Sequence, residues 1–437
     1  MFIRWNEGWD TSKSAASDKW YYCYIPNGIA SGATSLLILL FAKDLGASVG
    51  QVGIIAAASS LSSIPAFMLW GHLSDRTKKR KIFVLLGFLG MALCLFLMGM
   101  SGGVQDYFLS NLLFGFLVAA SAPVATALVI ETAARDQWAR RIAAFSKIGG
   151  IGWVAGLILG AVWLEIDFNG LTLGGEMRAL FIIGAALALL SALVAWRWIE
   201  EPEERLGIRP LHPPEHHFIT IERLRYLPMR MLHRFEFKDR SKRQHRFTRS
   251  LNVYLSCVFL LFAGFTAFYA FFPIFLVDEI GMQSSAIFVV YIASQATSVA
   301  FYSRVGKWVQ DKGSKKMQIL GSGARTILFP SFLGIALFHL DPVITLVAIL
   351  VLHSLVGLCW ALINVSGSMI ISNLASPDVR AEAFGAYNAM QGVGSVAGPV
   401  AGGLICEFFG YPAGFISASV FILLGILVLI RLKVDAI

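Results

Sequence analysis

The chain has 437 residues, of which 57% are hydrophobic and 14% charged, with a formal net charge of +9. Soluble domains carry about 25% charged residues, so too little polar surface exists to cover a water-facing fold, and a lipid-facing exterior is expected. Five cysteines (Cys23, Cys94, Cys257, Cys359, Cys406) lie scattered in apolar stretches without C-x-x-C spacing, which argues against a disulfide framework and a cysteine zinc site.

Residues 1–19 lack a basic region followed by a short apolar core, so no removable signal peptide is expected there. Trp5 and Trp9 are spaced i, i+4 and suit either a membrane interface or a polar tail. Twelve apolar stretches follow, at 20–42, 49–70, 82–100, 107–130, 142–164, 178–199, 250–277, 283–303, 317–337, 342–374, 382–405 and 411–431. Each approaches the ~20 residues that cross a hydrocarbon core. The expected fold class is an all-α integral membrane protein with 12 transmembrane helices.

The gaps between stretches alternate in charge. Gap 71–81 holds five basic residues, 131–147 four, 200–249 twelve and 304–316 five, while 375–381 holds Arg380. The other gaps carry acids, among them Asp44, Asp106, Glu165, Asp278 and Glu407. The positive-inside rule then places both termini and the central loop in the cytoplasm. This topology accounts for the +9 and leaves nucleic acid with no role as a partner.

The central gap divides the chain into a segment 1–19, a first half 20–199, a basic linker 200–249, a second half 250–431 and a tail 432–437. Within the linker, Phe218, Ile221, Leu224, Met231 and Phe235 suit one face of an amphipathic helix on the inner leaflet. Pro228 interrupts that pattern, and a plain linker is the alternative. His212, His216 and His217 flank Pro213-Pro214 with no cysteine near, so a solvated loop is expected in place of a metal site.

The halves resemble each other. AKDLG (42–46) matches VDEIG (277–281), DRTKKRK (75–81) matches DKGSKK (311–316), and RIAAF (141–145) matches RAEAF (380–384). Gly150, Gly152, Gly156 and Gly160 recur at the same spacing as Gly392, Gly394, Gly398 and Gly402. The offsets are 235, 236, 239 and 242. Transporters are often built from such repeats.

GHLSDRTKKRK (71–81) resembles the signature loop of the major facilitator superfamily, G-x-L-(A/S)-D-(R/K)-x-G-(R/K)-(R/K). Gly71, Leu73, Asp75, Arg76, Lys79 and Arg80 match, and Lys78 stands where the family usually has glycine. The second copy keeps Asp311, Lys312, Lys315 and Lys316, with Lys307 in place of the first glycine. GPVAGG (398–403) matches a Gly-Pro element known from the fifth span of proton-driven antiporters, whereas span five here reads GLILG (156–160). The resemblance implies two six-helix bundles around a central cavity that opens alternately to each side. It also implies a charge network at Gly71, Asp75 and Arg76 that holds one conformation, with Glu131, Arg141, Asp311 and Arg380 as partners. Lys79 to Lys81 are read mainly as topology charge. Gly156, Gly398, Pro399 and Gly402 permit close helix packing or act as a hinge.

No Asp or Glu lies deep inside any span. His353 in span ten is the titratable candidate there, with a hydrogen-bonded structural imidazole as the alternative. Arg325 in span nine suits an anionic substrate group or, more simply, helix packing or a position near the cytosol. The resemblance assigns spans one, four, seven and ten to the cavity. Their polar and aromatic residues include Asn27, Asn111, Tyr254, Tyr269, His353, Trp360 and Asn364. Asn111 precedes Gly115 by four residues, where many drug antiporters carry arginine. Span seven repeats Phe262, Phe265, Phe268 and Phe272 at helical spacing, suited to a pathway, to packing or to lipid.

No G-x-x-x-x-G-K-(S/T) loop is present, so ATP drive is not expected. The expectation is a monomeric secondary transporter without cofactor or metal, in the cytoplasmic membrane of a prokaryote. It exports or facilitates passage of a neutral or amphipathic small organic solute. A proton-coupled nutrient importer is the alternative, with a membrane-embedded enzyme or a flux-less sensor more remote.

Overall fold

The computed structural model describes residues 19–132, 138–166, 172–201, 247–338, 341–375 and 380–432. Residues 1–18, most of the 200–249 linker with its amphipathic stretch and histidines, and the tail 433–437 lie outside the described residues.

The described elements are helical, and no strand occurs among the described residues. A 3-10 turn (Lys19–Cys23) leads into α1 (Tyr24–Ser35) and α2 (Leu37–Asp44). The first half continues with α3 (Val49–Thr77), α4 (Arg80–Met100), α5 (Val104–Val118), α6 (Ser121–Glu131), α7 (Trp138–Trp163) and α8 (Leu173–Trp198). The second half comprises α9 (Arg249–Asp278), α10 (Ser284–Lys312), α11 (Ser314–Leu337), α12 (Pro342–Leu374) and α13 (Arg380–Arg431).

By length and composition ten helices can cross a bilayer, or eleven when α1 and α2, bent by 42°, form one span. The remaining difference from twelve lies in α13, where Gly410 at φ 81 and ψ 170 breaks the helix between the eleventh and twelfth apolar stretches. The fourth stretch is likewise interrupted, with Ala119 and Ala120 between α5 and α6. The sixth begins earlier than its hydropathy suggests. The Thr172 side chain accepts a hydrogen bond from the Gly175 N–H and starts the helix at Leu173.

Other helix starts follow the same logic. Ser48 and Gln51 form a reciprocal capping box on α3, Thr248 caps α9, and Asp341 caps α12 ahead of Pro342. Large apolar side chains remain exposed along the helix flanks, including Ile327, Val299 and Leu193. Such a belt is unfavourable in water and suits hydrocarbon.

The halves meet where α3 packs on α13 and where α7 packs on α10. These two contacts are each other's equivalents under the internal repeat: span two on eleven, and span eight on five. Within the halves α1 packs on α7 and α9 on α13, again an equivalent pair. The repeated glycines explain the close approach. A Cβ on Gly152 would meet the Ile25 carbonyl oxygen at 2.7 Å, and one on Gly394 would meet that of Phe259 at 2.9 Å. Gly156 lies against Ile29, Gly398 against Ala263 and Gly402 against Ala267, while Pro399 faces Gly53 across the halves.

Candidate functional site

A cavity of about 390 Å³ lies between the halves. The first half contributes Ser35 and Leu36, where the first span bends, together with Trp153 and Leu157 of α7. The second half contributes α9, α10, α11 and α12, including Phe262, Tyr269, Gln295, Arg325, His353 and Trp360. Among the described residues, no Asp or Glu lines it. A smaller space beside it is lined by Trp360, Asn364, Tyr387 and Gln391, and shares Phe262 and Trp360 with the main cavity. It lies toward the end of the molecule that carries the 71–81 loop.

Arg325 stands midway along α11 and is 1% exposed. Its position is therefore interior, which fits the substrate-contact and helix-packing readings of the sequence and not the near-cytosolic one. One guanidinium nitrogen donates to the Val356 carbonyl at 3.2 Å. Nε and Nη1 have no hydrogen-bond partner among the described residues. Aromatic faces surround the cation, with Phe265 at 4.6 Å, Trp360 at 5.5 Å and Phe329 at 5.8 Å.

His353 is as deeply buried, and neither ring nitrogen has a partner among the described residues. Its ring stacks on Phe272 at 5.1 Å and lies 4.9 Å from Tyr291. Tyr269 approaches edge-on at 6.1 Å. Behind these groups Phe268 stacks on Phe329 at 3.8 Å. The phenylalanines of α9 thus divide, with Phe262 and Phe265 at the cavity and Phe268 and Phe272 packed behind it.

Of the polar residues expected at the cavity, Tyr269, His353 and Trp360 line it, and Asn364 lines the adjoining space. Asn27, Asn111 and Tyr254 do not line either space. Asn111 donates to the Ile55 carbonyl at 2.5 Å and joins α5 to α3. Tyr254 donates to Gln318 at 2.9 Å, and its ring stacks parallel to that of Tyr387. The Asn27 carbonyl accepts from Ser31 at 2.9 Å. Sequence reasoning did not single out Trp153, Tyr291 and Gln295, which come from spans five and eight. The available signal for Gln295 was its amide among the Ser294, Thr297 and Ser298 hydroxyls of span eight.

In the signature loop the partner of Asp75 is Arg80, at 2.7 Å. Arg80 also pairs with Glu131 and donates to Ser74. Glu201 accepts from the backbone N–H groups of Arg80 and Lys81, which are free donors at the start of α4. The network ties α3, α4 and α6 within the first half. Gly71 is half-buried, Arg76 and Asp311 are exposed, Arg141 is half-buried in α7, and Arg380 opens α13.

At the opposite end two contacts join the halves. Lys43 pairs with Asp278 at 2.8 Å, and Tyr411 donates to the same Asp278 oxygen at 2.7 Å. Glu407 accepts from the Ser48 hydroxyl and the Gly50 N–H, both at 2.7 Å, at the N-terminus of α3. Helix N-termini favour anions.

A family model described as Major Facilitator Superfamily matches residues 21–366 and 322–436. Multidrug resistance protein MdtG of Yersinia enterocolitica is 29% identical over 187 residues, covering 42% of this chain and 42% of that protein. The chain therefore matches less than half the length of that relative. Multidrug resistance protein 1 of Bacillus subtilis is 23% identical over 400 residues, covering 90% of each. Among solved structures, the nucleoside transporter NupG aligns with a TM-score of 0.74 at 15% identity, over 96% of this chain and 100% of that one.

Proposed function

The chain belongs to the major facilitator superfamily and is a multi-pass membrane transporter, not an enzyme; on that premise we propose that it exports a small amphipathic organic compound across the inner membrane by alternating access. The cavity carries this reading. Both halves line it, aromatic and aliphatic side chains dominate it, and a few polar groups converge on it. Its volume falls toward the lower end of the 300–1,000 Å³ usual for ligand sites, which suits a small molecule better than a peptide. Relatives named multidrug resistance proteins support the outward direction.

In this reading the 71–81 loop, both termini and the linker face the cytoplasm, as the charge distribution favours. The halves are the units 20–199 and 250–431, and a single copy suffices. The Lys43–Asp278 and Glu407–α3 contacts close the outer end, so this is the state that loads from inside. Asp75, Arg80 and Glu131 form an inner-face network that braces the first half and moves with it as the halves rock. Among the described residues no carboxylate lines the cavity, which favours facilitated passage over a bound proton in this reading.

The test is accumulation of amphipathic fluorescent dyes and acids in cells lacking their major exporters. Cells expressing the protein should retain less of at least one compound than cells expressing Trp360→Ala. Equal retention across the panel sinks the export reading.

A further inference from the structure

The cavity holds a charge that no described residue neutralises. Arg325 is 1% exposed, and among the described residues two of its nitrogens have no hydrogen-bond partner and no Asp or Glu lines the space it borders. Burying a cation this way is costly unless a partner and hydrogen bonds complete it. A carbonyl and three aromatic faces hold the guanidinium in place and satisfy only part of its capacity. His353 borders the same cavity with both ring nitrogens unpartnered.

We propose that Arg325 and His353 form an anion subsite, and that the transported compounds are amphipathic acids: a carboxylate, sulfonate or phosphate on an apolar, often aromatic, body. This deepens the export reading and rests on it. A guanidinium presents a planar fork of donors that matches an oxyanion. Nε and Nη1, the two nitrogens without a partner, flank Nη2, so an oxyanion can take either of them together with the second N–H of Nη2. The apolar body has Phe262, Trp153 and Leu157 to rest on. The charge also explains how export proceeds without a proton. An inside-negative potential favours outward passage of a monoanion by about 50-fold in concentration ratio per 100 mV.

The experiment measures binding of matched pairs to the purified full chain: 2-naphthoate against 2-naphthamide, and indole-3-acetate against indole-3-acetamide. Quenching of the cavity tryptophans, or thermal stabilisation, reports occupancy. The wild type should bind each acid at least about tenfold tighter than its amide, the factor carried by one hydrogen bond to a charged group. Arg325→Met should bring acid and amide to within about twofold, and Arg325→Lys should keep part of the preference. Replacing a buried unpaired charge by an apolar side chain of similar length does not threaten the fold, and far-UV circular dichroism checks this. Acids and amides binding alike to the wild type, no binding of any acid, or an undiminished preference in Arg325→Met each overturns the subsite. The export reading is scored separately in cells. Dye export by Arg325→Met alongside lost acid preference keeps both proposals, whereas acid binding by a wild type that exports nothing keeps only the subsite.

Discussion

Lys78 is the one non-glycine residue with positive φ among the described residues, at φ 55. It is the C-cap of α3, where the chain must leave the helix in a left-handed conformation. Side chains other than glycine pay about 1–2 kcal/mol for that conformation, which gives a physical reason for the signature glycine at this position. Lys78→Gly should therefore stabilise the protein by about 0.5–1 kcal/mol after the entropy of the freer unfolded chain is counted. A thermal melt of the purified variant in detergent reads this, and a lower melting temperature contradicts it. The same turn shows why the loop's chemistry was only half legible. Its residues were evident, but the partner of Asp75 is set by how the chain re-enters α4, and that brings Arg80 inward while Arg76 stays exposed. The depth of Arg325 stayed open in the sequence for a related reason: position along a span gives depth only when the helix ends are known. At His353, absence of proton coupling is testable directly. His353→Gln keeps hydrogen-bonding capacity without a titratable group, so transport into proteoliposomes should keep its wild-type pH profile between about pH 5.5 and 7.5. A profile flattened by this change makes His353 a proton site.

At the scale of elements, α3 and α13 join the halves backbone to backbone, and in the alternating-access reading this contact is the joint on which the halves move. A Cβ on Gly53 would lie 3.0 Å from Gly403 Cα and closer still to the Pro399 carbonyl, and one on Gly403 would meet the Val49 carbonyl at 2.9 Å. Backbone cannot yield as a flexible side chain can. Gly53→Leu should thus hold α3 and α13 apart at this point, leaving each half folded but transport reduced at least about tenfold. Normal membrane levels with near-normal transport would show that the joint opens elsewhere. Element identity was largely readable because hydropathy and loop charge are local properties. The break at Ala119–Ala120 was signalled by Pro123, which cannot donate to the Ala119 carbonyl, whereas the bend at Leu36 was not, since no proline marks it. Nor was the retreat of Asn111 and Tyr254 from the cavity, because each is claimed by a neighbouring helix, Asn111 by α3 and Tyr254 by α11.

For the whole molecule, the outer closure follows from the repeat. Lys43 and Asp278 occupy equivalent positions in AKDLG and VDEIG, 235 residues apart, and they meet each other. Residues beside a two-fold axis contact their own equivalents, so opposite charges at matched positions near the axis close the two ends together. The sequence carried this signal in the repeat alignment itself. The pair is partly open to water, with Lys43 36% and Asp278 28% exposed, so its contribution is at most about 1 kcal/mol. Glu407 should count for more. It brings a charge from the second half onto the N-terminus of α3, accepts two short hydrogen bonds and gains from the helix dipole. Charge-assisted hydrogen bonds contribute about 1.5–3 kcal/mol; Glu407 is solvent-exposed, so the lower end applies, which shifts a two-state equilibrium about tenfold. Glu407→Ala should therefore populate outward-open molecules, and Lys43→Ala should do so weakly. Spin or fluorescent labels at Asp44 and Glu279, exposed beside the Lys43–Asp278 pair on the two rims, report the separation. A wide-distance population in Glu407→Ala and a small one in Lys43→Ala is the expected order. The reverse order would place the closing energy in the exposed ion pair, and an unchanged distance in both would assign closure to the α3–α13 backbone contact instead.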